Sequence, residues 1–184
     1  YSISIYEDRA IISAVADDEN GKDAGAAYIF EKVDGNWTET KKILPDDLVM
    51  GTYGDQFGNS VSIFEDRVIV GSWGDSGGGS AYIFEKVGTE WIQKAELSGT
   101  PGVALNFGVG VNIFENYAIV GAGSESRTDG AGNEIKYAGA AYIFEKVGND
   151  WIEINKLTAE VPQYQAWFGN SVAISDEEAV VGSP

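Results

Sequence analysis

Apolar residues in this chain fall in short consecutive runs, such as "VIV" at 68–70 and "AYIF" at 81–84, and not at helical spacing. No window sustains an apolar period near 3.6, so almost no helix is predicted. Runs of β-branched and aromatic residues broken by Gly, Asn and Asp predict short strands joined by hairpins. Strands that are apolar at consecutive positions have both faces covered. A run such as "WIQKAELS" at 91–98 alternates less cleanly, and with its counterparts it carries Lys41, Lys94, Glu96 and Lys156. That is the character of an exposed edge protected by charge. The run near 60–64 mixes small residues with Val, Ile and Phe, as suits an inner strand beside a crowded axis.

These runs recur in a fixed order. The heptapeptide "AYIFEKV" stands at 27–33, 81–87 and 141–147, and each copy is followed by a short turn and then Trp37, Trp91 or Trp151. Upstream lie "FGNSVSIFEDRVIVGS" (57–72) and "FGVGVNIFENYAIVGA" (107–122); "YSISIYEDRAIISA" opens the chain and "FGNSVAISDEEAVVGSP" closes it. Matching positions are 50 to 61 residues apart, with nearly all the variation in loops. Each unit reads as four strands: inner, covered, covered and outer. A tight acidic turn (Glu65-Asp66, Glu115-Asn116) joins the first two. Such units bury their apolar faces against copies of themselves, as the four-stranded antiparallel blades of a β-propeller do. One all-β propeller segment spans 1–184, with repeats at approximately 1–45, 57–98, 107–158 and, in part, 168–184. Three full blades and part of a fourth do not close a ring of four to eight. The expectation is a segment of a longer propeller protein, or closure by self-association between chains that complete one another's blades.

Composition narrows the function. There is no Cys, hence no disulfide or thiolate site, and no His, the commonest general base and metal ligand. With 12 Lys and Arg against 29 Asp and Glu the net charge is −17, which repels phosphate backbones and anionic lipid, so nucleic acid is not an expected partner. No apolar run is long enough to span a bilayer as a helix.

The "FG" that opens the units and the "GSP" that ends the second strand, clearest at Phe168-Gly169 and Gly182-Ser183-Pro184, resemble the FG-GAP repeat family. In the other units the closing motif departs from Gly-Ala-Pro, as Gly71-Ser72-Trp73, Gly121-Ala122-Gly123 and Ser13-Ala14-Val15. "AYIFEKV" and the Trp after it are more similar to the bacterial-type branch than to integrin α-subunits. The resemblance implies a propeller of extracellular or cell-surface proteins, used for adhesion and ligand binding, with a protein or glycan as partner. In the integrin branch the loop after Gly-Ala-Pro often carries a calcium-binding Asp-x-Asp-x-Asp-Gly pattern. Setting Gly21 on that Gly puts Asn20 and Asp18 at ligand positions, with Ala16 in place of the first Asp. Asp17, Glu19 and Asp23 add oxygens nearby, and calcium accepts six to eight in flexible geometry. Calcium is therefore a candidate cofactor, through Asp17, Asp18, Asn20 and Asp23. The competing reading is an acidic turn that caps its own backbone.

Catalysis has little to stand on. A nucleophilic triad lacks its usual base, no Ser sits in a G-x-S-x-G elbow, and "GSWGDSGGGS" (71–80) lacks the Lys and following helix of a phosphate loop. Carboxylates at Asp46, Asp47 and Asp55 could be paired for glycoside hydrolysis, but among so many acids solvated loop charge is the plainer explanation. The protein is expected not to be an enzyme. Tyr53, Trp73, Tyr164 and Trp167 lie in or beside loops, where exposed aromatic faces next to Asp and Asn bind sugars or proteins. If they instead pack between blades, as Trp73 and Trp167 easily could, the lectin-like reading fails.

Overall fold

A computed structural model of the chain describes residues 1–19, 21–46, 54–103 and 105–184. The described residues contain no helix. Strands β1 (Ile3–Tyr6), β2 (Arg9–Ala14), β3 (Ala26–Val33) and β4 (Asn36–Ile43) form the first antiparallel sheet. The second comprises β5 (Val61–Phe64), β6 (Arg67–Ser72), β7 (Ser80–Val87) and β8 (Glu90–Leu97). In the third, β9 (Phe107–Phe114) and β10 (Tyr117–Ala122) are separated in sequence from β13 (Ala140–Val147) and β14 (Asp150–Leu157) by a small hairpin. That hairpin, β11 (Arg127–Thr128) and β12 (Glu134–Ile135), is absent from the sequence expectation. β15 (Ser171–Ile174) and β16 (Ala179–Gly182) start a fourth sheet. The result is three blade-like sheets and part of another, an arc of a propeller.

Alternation along each covered strand divides its side chains between two neighbours. Val68, Val70, Tyr82 and Phe84 pack with Ile11, Ala27, Ile29 and Ile43 of the first sheet. Ile69, Ala81, Ile83 and Leu97 pack with Val111, Ile113, Val120, Tyr142 and Phe144 of the third. In the second and third units the Phe of "FG" fills the joint from within its own unit. Phe57 meets Tyr82 and Phe84 at ring-centroid distances of 5.7 and 6.3 Å, and Phe107 meets Tyr142 and Phe144 at 5.4 and 6.2 Å. Tyr28 and Phe30, on a face that no described sheet covers, are half-buried.

The polar half of the heptapeptide ties the blades together. Lys86 of the second sheet reaches Glu31 of the first at 2.5 Å, and Lys146 of the third reaches Glu85 of the second. Arg67 holds Glu85 from its own sheet at 3.2 Å and donates forward to the turn carbonyl of Glu115 at 2.9 Å. Arg9 does the same toward the Glu65-Asp66 turn. The Glu-Lys pair of the heptapeptide is thus the clasp between units, a role that apolar patterning alone could not show.

The inner edge is satisfied across the joints as well. Ser2 and Ser4 accept the backbone N–H groups of Val61 and Ile63, both at 3.2 Å. Ser60 and Ser62 accept those of Val111 and Ile113, at 3.1 and 3.2 Å. Asn112 continues the series to Ile174 at 2.9 Å. An inner edge strand has donors with no ladder partner, and burying them unpaired is costly. The serines are there as acceptors and not only because they are small. Gly121 allows the closest approach: a Cβ there would lie 1.7 Å from the backbone oxygen of Gly169.

Candidate functional site

Loops after the second and fourth strands of each unit meet on one rim. In every full sheet an acidic residue stands four positions after the start of the Gly-Ala-Pro-like motif: Asp17, Asp75 and Glu125. Its backbone N–H bonds back to the end of the second strand, at Ala14, Ser72 or Ala122. Its carboxylate accepts the hydroxyl of the third-strand Tyr: Tyr28 at 2.6 Å, Tyr82 at 2.9 Å and Tyr142 at 2.6 Å. The bond to Tyr28, with those to Glu19 N–H and Lys42, holds the Asp17 carboxyl below its usual range, and the same bond raises Tyr28. Burial, then the bond to Glu125, raises Tyr142.

This arrangement bears on the calcium candidates. Lys42 Nζ lies 3.2 Å from both Asp17 oxygens and also bonds Glu19. Asp18 accepts the backbone N–H of Asp23 at 2.7 Å. Asn20 lies outside the described residues. Calcium would have to compete with Lys42 for Asp17 and Glu19, and among the described residues no group of three or more acidic side chains is arranged to hold a metal. The described oxygens fit an ammonium better than calcium, which has no part in the function proposed for this chain. Of the carboxylates considered for hydrolysis, the backbone N–H of Asp46 donates to Gln93, the backbone carbonyl of Asp55 accepts from Ser72, and Asp47 lies outside the described residues.

The aromatic candidates separate. Trp73 is half-buried, its backbone N–H on Asn59 at 3.3 Å. Tyr53 lies outside the described residues. Tyr164 is 65% exposed and Trp167 41%, and both lie in the loop entering the fourth unit. A third aromatic joins them: Tyr137, 38% exposed, with its ring 6.5 Å from Tyr164. The Trp167 N–H donates to the Tyr137 carbonyl at 2.9 Å, bringing the two loops together.

Both backbone positions are left-handed in the repeat as a whole. Trp167 (φ 45°) stands where Gln56 (52°) and Asn106 (57°) precede "FG" in other units. Tyr137 (57°) stands where the first unit has Asp23 (55°) and the second Gly77 (104°). Asn, Asp and Gly tolerate this region, whereas bulky residues there are outliers. Sequence reasoning missed Tyr137, although one comparison finds it: "KDAGAAYIF" at 22–30 and "KYAGAAYIF" at 136–144 differ only at Asp23 and Tyr137.

Among the described residues no helix is long and apolar enough to cross a membrane. No curated protein sequence matches the chain. The profile described as FG-GAP repeat matches residues 1–30, 37–84 and 151–184, together more than half of the chain. The shared "FG", the Gly at the end of the second strand and the joints they build have a common source: this chain belongs to the FG-GAP repeat family.

Proposed function

We propose that this chain is a non-catalytic ligand-binding module acting in adhesion outside the cell, and that Tyr137, Tyr164 and Trp167 make its contact surface. The observation carrying this is the placement of two bulky aromatics at left-handed positions where sister units use Asp, Gly, Gln or Asn. Each costs roughly 1–2 kcal/mol of backbone strain. Their partial exposure leaves much of that unrepaid by burial. Strain kept at an exposed aromatic surface is strain kept for binding. Support for an extracellular setting is the family itself, whose repeats occur in extracellular proteins.

A glycan is the second reading, favoured by exposed aromatic faces flanked by the exposed amides of Gln163 and Gln165. The test borrows the sister units' own residues. Trp167→Asn and Tyr137→Asp should fold at least as stably as the parent, gaining up to ~1 kcal/mol each from relieved strain. Both should lose binding to whatever the parent retains from a glycan array and a panel of immobilised matrix proteins. Saccharide hits would select the second reading. Undiminished binding by both variants would end the proposal.

A further inference from the structure

Of the asparagines in the chain, only Asn36 has Ser or Thr two positions on, as Asn36-Trp37-Thr38. Asn-x-Ser/Thr, with any residue but Pro in the middle, is the acceptor sequence for a glycan on the asparagine amide. The repeat shows how particular this tripeptide is. Asn36 pairs with Val33 as Glu90 pairs with Val87 and Asp150 with Val147. The sister units therefore read Glu90-Trp91-Ile92 and Asp150-Trp151-Ile152 at the same place. Both residues flanking the Trp differ in the first unit, and either change alone would make no acceptor.

The fold presents the tripeptide without using it. Asp34 (φ 49°) and Gly35 (φ 82°) make the two-residue reversal between β3 and β4, and Asn36 is the first residue past it. Asn36 and Thr38 are exposed. That exposure belongs to the position: Glu90 and Ile92 are exposed too, in a sheet with a neighbour on each side. The Asn36 amide donates one long hydrogen bond, to the Asp34 carbonyl at 3.4 Å, and the Thr38 hydroxyl makes none among the described residues. Two apart on a strand with no bulge between them, the two side chains project on the same side, so amide and hydroxyl are offered together.

We propose that Asn36 is the attachment point of an N-linked glycan. In the transfer, Asn36 Nδ2 bonds to the anomeric carbon of a glycan activated as a lipid diphosphate ester. The bond from that carbon to the diphosphate oxygen breaks with its electron pair, and an amide proton passes to a base of the transferase. The inference rests on the extracellular reading, because the acceptor sequence is used in secreted proteins. Turns after the first and third strands lie at the end of the sheets opposite the rim of Tyr137, Tyr164 and Trp167. A glycan on Asn36 thus covers one end and leaves the contact surface free.

The experiment is mass spectrometry of the protein made by its own cells, taken separately from exported and internal fractions. Cleavage after Lys32 and Lys41 isolates residues 33–41, in which Asn36 is the only asparagine. The exported protein should yield a sugar-bearing 33–41, and enzymatic release of the glycan in heavy-oxygen water should leave labelled Asp at position 36. Asn36→Gln and Thr38→Ala should each lose the sugar completely, and Thr38→Ser should keep it. Exported protein with 33–41 wholly unmodified would overturn the proposal and leave the extracellular reading standing. Sugar-free 33–41 in protein found only inside cells would overturn both. Sugar that persists in Asn36→Gln would lie on a threonine and defeat the proposal as well. Should Asn36→Gln fail to fold, sugar retained in Thr38→Ala, where the asparagine is untouched, would defeat it equally.

Discussion

Replacing Ser62 by Ala removes one atom and tests the logic of the inner edge. Ser62 is 3% exposed, and its Oγ accepts both the Ile113 N–H at 3.2 Å and the Asn112 amide at 3.0 Å. The Asn112 amide is half-buried and can turn toward water, so its loss counts for little. The Ile113 N–H cannot: Ile113 is buried in the joint between the second and third sheets. A buried donor stripped of its acceptor costs about 1–3 kcal/mol, so Ser62→Ala should destabilise by about 2 kcal/mol. For a chain of this length that lowers the melting temperature by roughly 4–8 °C. Ser4→Ala is the internal control, because Ser4 is half-buried and water can replace it; the expected loss is about 1 kcal/mol or less. Calorimetry measures both, and hydrogen exchange at the Ile113 amide assigns the effect to its bond. A loss below about 0.5 kcal/mol for Ser62→Ala, with Ile113 exchange unchanged, would refute the role given to the serines.

Two further outcomes follow from the joints. Gly121→Ala drives a Cβ into the Gly169 carbonyl and should loosen the fourth unit, at a cost of ~3 kcal/mol, read as faster limited proteolysis within 160–184. Burial opposes the ionisation of Glu85, but Lys146 and Arg67 outweigh it and hold the carboxyl below its ordinary 4.5. A carboxyl lowered in the folded state stabilises above its unfolded value, and the gain fades as pH falls through the folded one. Melting temperature should therefore drop as pH falls below about 4.5, with a shallower decline in Glu85→Gln.

The all-β class and the order of strands were legible because short runs of consecutive apolar, β-branched and aromatic residues and the turn residues between them are written locally, as in "RVIVG" and "AYIFEKV". What lay between units was harder to read. The Glu85–Lys146 pair joins residues 61 apart, and nothing local to either shows which neighbour it meets. Ser60 and Ser62 read as small residues until the donors opposite them were visible. The hairpin of β11 and β12 escaped because two-residue strands carry no period. Of the proposed contact surface, Tyr164 and Trp167 could be placed in a loop from the sequence, while Tyr137 was hidden beside a strand that otherwise repeats letter for letter.

The serine acceptors give the array a direction. The first three units each offer side-chain oxygen to the next, which donates backbone nitrogen in return, so the second unit is compatible with a tandem copy of itself: Ser60 and Ser62 present what Val61 and Ile63 require. The third is not, since Gly110 stands where an acceptor belongs. A uniform array grown from this chain would have to be seeded from its middle.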